Sequence, residues 1–223
     1  MFSISNDAMH FAFTVAGFHL LRRTDARGAV AAAACLSLGA LAKQTGLAYV
    51  AAGAAYVLVA RPRRAGAYLA TAAVVCGGVL AWLQLSSGGQ FYDIVVKYNR
   101  GPFWDAGRLL SEVWSVQYLG QYVLLLFLSL WPLFSARSGG EAWRRLATPE
   151  YAMAAAGIVV SCIAQPKFGS GNNHAVIAIA GLIICGFQGL RRMTGRPADA
   201  DAAAATRGLL VALQVAGLVA LAW

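Results

Sequence analysis

Acidic residues are scarce in this chain: nine Asp and Glu stand against eighteen Lys and Arg, and all charged residues together make up 12% of its 223 positions. Lysine is scarcer still, with Lys43, Lys97 and Lys167 set against fifteen arginines. The four cysteines, Cys35, Cys76, Cys162 and Cys185, are scattered one per apolar segment with no C-x-x-C spacing. That pattern indicates neither a disulfide framework nor a zinc site, and small apolar packing explains it. Met1 to Asn6 carries no basic stretch, so no signal peptide is visible. The two halves show no internal repeat of the kind that secondary transporters carry.

What the chain has in quantity is apolar residues, 59% of the total, in long runs separated by arginine clusters. That composition describes a polytopic membrane protein. The net charge of +9 could suggest a nucleic-acid binder, but the bases lie in short loops between apolar runs and not on one soluble face. Topology accounts for them better. The expected fold is all-α, a transmembrane helix bundle with eight spans: Asp7 to Leu21, Gly28 to Ala42, Thr45 to Ala60, Gly66 to Leu85, Leu119 to Phe134, Pro149 to Ala164, His174 to Leu190, and Arg207 to Trp223. Helix is the expected state because backbone groups in hydrocarbon must be satisfied within their own segment.

If these spans alternate, one side collects Arg22, Arg23, Arg27, Arg61, Arg63, Arg64, Arg137, Arg144, Arg145, Arg191, Arg192, Arg196 and Arg207. By the positive-inside rule that side is cytoplasmic, and the protein belongs in a bacterial inner membrane. The other side holds Lys43, Lys97, Arg100, Arg108 and Lys167. The first strong positive cluster follows the first span, so the N-terminus faces outward. That start, together with a final apolar run ending abruptly at Trp223, reads as a piece of a longer chain forming one transmembrane domain over 1–223.

Lys43 interrupts the apolar run in "LGALAKQTGL". The segments on either side have only about 15 residues, roughly 22 Å of helix against a hydrocarbon core of roughly 30 Å. Lys43 is thus expected at the tip of a short helical hairpin, sunk below the outer surface. A lysine left in lipid there costs about 2.5 to 3.5 kcal/mol, so it either snorkels to the headgroups or faces a polar cavity or an anion.

A second outer feature, "QPKFGSGNNH" from Gln165 to His174, sets Lys167 beside a Gly-Ser-Gly turn and two asparagines, a plausible cradle for phosphate through backbone amides. The outer loop 86–118 contains two apolar stripes at helical spacing, one through Phe91, Ile94, Val95 and Tyr98 and one through Leu109, Leu110, Val113 and Trp114. Both are expected to lie in the membrane interface. The "NRGPFWD" turn between them is either an aromatic belt or the rim of a site for a lipid-linked anion, with Asp93, Lys97, Arg100 and Asp105 on that rim. On the cytoplasmic side, Ser135 to Thr148 and Thr194 to Thr206 read as polar linkers. His10 and His19, on different faces of the first span, read as core or headgroup contacts in preference to metal ligands.

Three stretches carry a resemblance: "SNDAMHFAFTVAGFHLLRR", "LSLGALAKQTGLAYVAAGAAYVLVARPRR" and "KFGSGNNHAVIAIAGLI". In order and spacing they resemble the membrane portion of the GT-C glycosyltransferases that use polyprenyl-phosphate sugars, of the glycosyltransferase family 39 type, which includes protein O-mannosyltransferases and lipid A aminoarabinose transferases. The resemblance runs from Ser5 to about Leu190. It departs from the family pattern in lacking a proline after the acidic residue near Asp7, and in placing His174 where a tyrosine commonly follows asparagine.

The resemblance implies a multi-pass transferase that moves a sugar from a polyprenyl-phosphate donor to a lipid, glycan or protein acceptor at the outer face, with no nucleic acid involved. It implies donor-phosphate contacts from Lys43, Lys167, Gly169, Ser170, Asn172 and Asn173. Asp7, the candidate catalytic carboxylate, matches the family's second acidic position, which helps bind the lipid phosphate or a divalent metal; of Asp7, Asp93 and Asp105 as carboxylates for deprotonation, it alone has a family match. The family's main acidic motif lies upstream of the region matched by Asp7, so the fragment on its own is expected to be inactive. The leaving group is a phosphate monoester, so the chemistry requires stabilisation of developing negative charge and deprotonation of an acceptor hydroxyl. A secondary transporter and a non-catalytic membrane subunit are the alternatives.

Overall fold

The computed structural model describes residues 6–93, 126–164 and 175–193, and these are helical with no strand among them. Eight helices can be followed: α1 (Asn6–Leu20), α2 (Ala26–Ala42), α3 (Gly46–Ala60), α4 (Pro62–Ser86), α5 (126–134), α6 (Gly139–Leu146), α7 (Pro149–Ala164) and α8 (Ala175–Met193). A single helical turn, Gln90–Tyr92, follows α4.

Short connections force the first four helices into antiparallel neighbours. Asp25 begins α2 from an extended backbone, and its carboxylate accepts the Gly28 N–H at 3.0 Å. That is the N-cap arrangement that satisfies one of the free amides of a first turn. The bond draws the Asp25 carboxyl below its usual range, with the neighbouring Arg23 adding to the effect. Pro62 occupies the start of α4, where its missing N–H costs nothing. Within α4 the residues Ala73–Gly77 form a π segment.

Small residues set the helix spacing. Cβ atoms added at Gly17 or Gly53 would run into the Leu36 side chain, and at Gly157 one would lie 2.6 Å from the Ala178 backbone. Such close approach of backbones is how helices pack when no water drives them together. Leu36, Tyr49, Tyr68, Phe18 and Met153 fill the centre, which joins α1 to α4 with α7 and α8. The Tyr68 hydroxyl donates to the Val50 carbonyl at 2.9 Å, tying α4 to α3. Ser129 on α5 donates to the Leu182 carbonyl of α8 at 3.0 Å.

Helices occupy the described parts of the expected spans, but their lengths differ. Among the described residues only Pro62–Ser86 is long and apolar enough by itself to cross a membrane. Ala26–Ala42, Gly46–Ala60 and Ile177–Arg191 are shorter apolar helices, while Gly139–Leu146 with Pro149–Ile163 passes the same test only as a pair bent by 80°. The supposed linker Ser135 to Thr148 therefore contains a helix, α6. Ser138 caps it by accepting the Glu141 N–H, and Glu141 accepts the Arg137 N–H at 2.9 Å. The last expected span, most of the loop 86–118 and the stretch 165–174 lie outside the described residues.

Candidate functional site at the hairpin tip

The turn between α2 and α3 is closed by its own backbone. Lys43 leaves α2 in an extended conformation while its N–H still bonds the Gly39 carbonyl at 3.1 Å, and its own carbonyl accepts the Gly46 N–H at 2.8 Å. A side chain at Gly46 would collide with the Ala40 backbone, so only glycine lets the chain fold back this tightly. The result presents Lys43 at the tip.

Opposite that tip is the first turn of α1. Asp7 accepts a hydrogen bond and ion pair from the Lys43 ammonium, across 36 residues of sequence. Their side chains are 30% and 21% exposed, so the pair is screened less than a surface bridge but is still open on one side. A carboxylate in a helix's first turn also sits favourably against the positive end of the helix dipole.

One turn further along α1, His10 is buried, and its Nδ1 lies 3.0 Å from the Gly39 carbonyl oxygen. With its Nδ1–H donating, that oxygen accepts from both His10 and the Lys43 backbone. Asp7, His10 and Thr14 recur at three- and four-residue spacing, so they share one face of α1. The buried hydroxyls of Thr14, Ser37 and Tyr49 have no hydrogen-bond partner among the described residues. The Tyr49 ring lies 5.5 Å from the His10 ring, centroid to centroid.

The chemistry this arrangement offers is limited and specific. An ammonium has three N–H donors and its bond to Asp7 uses one, so an anion at the open side can accept from the others. Asp7 holds the lysine head group in place. Among the described residues no group of three His, Cys, Asp or Glu side chains is placed to hold a metal ion.

Of the other expected site residues, Asp93 follows the helical turn after α4. Lys97, Arg100, Asp105, Lys167, Gly169, Ser170, Asn172 and Asn173 lie outside the described residues. His10 takes the core position expected of it, whereas the second ion pair, Arg22 with Glu150 at the opposite end of the bundle, is not legible in the sequence. The "ATPE" start of α7, proline then glutamate, signals an acidic first turn. Its partner, 128 residues away, leaves no local trace. Comparisons with protein-family models, with curated proteins and with solved structures find no match to this chain.

Proposed function

We propose that the chain is a membrane-embedded helix bundle of eight spans in a bacterial inner membrane, and that it serves a glycosyltransferase using a polyprenyl-phosphate sugar donor. The membrane reading rests on the apolar exterior: Trp82 and Leu85 on α4 are 65% and 81% exposed, alongside exposed Val74, Leu58, Val59 and Phe134. A helix this apolar and this little covered suits a lipid environment.

The observation that carries the transferase reading is the pairing of Lys43 with Asp7 at the hairpin tip. In this reading the donor phosphate binds the free side of the Lys43 ammonium, and Lys167 with the Gly-Ser-Gly turn completes the anion site. As the glycosidic bond breaks, negative charge grows on the phosphate, and a fixed cation stabilises that charge more than it stabilises the bound donor. Asp7 holds the cation in place. The acceptor is a lipid, glycan or protein hydroxyl.

The same pair also suits a non-catalytic subunit, because Asp7 neutralises Lys43 without any ligand. Donor binding separates the two. Purified protein in nanodiscs, titrated with a labelled polyprenyl-phosphate sugar, should lose affinity about tenfold or more in Lys43→Met, the scale of one charge-assisted contact. Arg108→Met, in the loop 86–118, should change affinity little. Equal losses in the two variants, or no donor binding by the unmodified protein, would remove the transferase reading.

A further inference from the structure

At the end of the bundle away from Lys43, the α1–α2 and α3–α4 connections meet in a small cleft lined by Leu21, Arg23, Ala29, Tyr56, Val57, Arg61 and Arg64. Its floor is aliphatic and aromatic, and its rim carries three guanidinium groups. We infer that this cleft binds the phosphodiester headgroup of an anionic phospholipid, with Arg61 and Arg64 as the principal contacts.

The charge balance of the cleft points to an anion. Arg64 Nη1 donates to the Arg23 backbone carbonyl at 3.2 Å, a contact that orients the guanidinium without neutralising it. The nearby carboxylate, Asp25, is already occupied as the α2 cap and reaches Arg23 only at 3.5 Å. Arg61 is half-buried, and its guanidinium makes no hydrogen bond or ion pair among the described residues. Five N–H donors on a partly covered group are costly to leave without acceptors.

The helix dipole makes the need greater. Arg61, Arg63 and Arg64 surround the first turn of α4, which contains no acidic residue. Positive side chains at the positive end of a 25-residue helix are electrostatically unfavourable, and a bound anion reverses that. The fork of a guanidinium matches phosphate oxygens, and basic pockets between helices on the positively charged side of membrane proteins are suited to anionic headgroups. The apolar floor then lies where the glycerol and acyl chains leave the headgroup. The inference rests on the membrane reading above, and it is independent of sugar transfer.

The test uses the full chain purified in detergent, with native mass spectrometry to count bound lipid while phosphatidylglycerol or phosphatidylcholine is titrated. Phosphatidylglycerol should bind preferentially, and Arg61→Gln combined with Arg64→Gln should weaken it about tenfold. Arg27→Gln removes one charge at the same end but outside the cleft, and should cost less than about twofold. Arg61→Lys keeps the charge without the fork and should give an intermediate loss, which serves if the double variant fails to fold. Equal binding of the two lipids, or an Arg27→Gln loss as large as that of the double variant, would overturn the site. Displacement of phosphatidylglycerol by inorganic phosphate at equal concentration would assign the cleft to a soluble anion and overturn the lipid. Insertion into nanodiscs is measured separately, so a failed membrane reading shows as no insertion, and a failed site as insertion without lipid preference.

Discussion

The two ends of the bundle handle charge in opposite ways. At the hairpin end one lysine meets Asp7, and both groups are largely covered. At the other end arginines outnumber carboxylates, and the one deeply covered acid, Glu150, is only 9% exposed beneath an Arg22 that is 43% exposed. Arginine keeps its charge and tolerates partial hydration, so it suits an exposed rim held by several weak contacts. Lysine concentrates its charge at one point, so a single partner can satisfy it and a single competing anion can redirect it. In the proposed reading the hairpin end exchanges partners, whereas the more deeply covered Arg22 and Glu150 pair ties the end of α1 to α7.

That contrast can be broken by removing the cation at each end. Arg22→Met strands Glu150 in a covered position and should destabilise the protein by about 3 kcal/mol, the scale for an uncompensated buried charge. Lys43→Met should cost clearly less, because Asp7 is more exposed and keeps a further contact. Thermal melts of both variants in the same detergent check the order; a larger loss at Lys43 would reverse the contrast. Restoring neutrality with Glu150→Gln in the Arg22→Met background should recover part of the stability.

A smaller effect tests the hairpin itself. Gly46→Ala places a methyl against the Ala40 backbone and should cost about 1 to 3 kcal/mol by forcing α2 and α3 apart. Cross-linking between cysteines introduced at positions 7 and 43 should become slower in that variant. Unchanged cross-linking would mean that the tip is set by α1 alone.

The smallest expected effect lies at the arginine end. The Arg137 N–H, and then Arg145, hold the Glu141 carboxyl below its ordinary value. Its contribution is fully present above the carboxylate's unfolded value of about 4.3, and it is lost as pH falls through the lower folded value. Amide protection at residues 139–146, corrected for the intrinsic exchange rate at each pH, should therefore fall on acidification through that window, and Glu141→Gln should abolish the pH dependence while α1 to α3 stay protected.

The helices of the hairpin can be read from sequence because two apolar runs flank the short polar break at Lys43 and Gln44. Boundaries there fall within two residues of those expected, since Asp25 and Lys43 mark them chemically. The pairing of Lys43 with Asp7 could be expected only as membership of one side, because no sequence pattern fixes a distance across 36 residues. Helix α6 is eight residues long and polar, and "SGGE" reads as a linker in sequence, although Ser138 accepts the Glu141 N–H and Glu141 in turn accepts the Arg137 N–H. The hydrogen bond from His10 to Gly39 depends on the α1–α2 approach, which sequence periodicity does not specify.

One consequence follows from the unequal lengths of neighbouring helices. Helix α4 has 25 residues, roughly 37 Å, while α2 and α3 with 17 and 15 residues reach roughly 25 and 22 Å. In the membrane placement proposed above both cannot match a bilayer of one thickness, so α4 would tilt and the lipid beside the hairpin would thin. The membrane surface would then dip like a meniscus toward Lys43. A phosphate carried on a long polyprenyl tail would reach the lysine by following that slope, without leaving the headgroup layer.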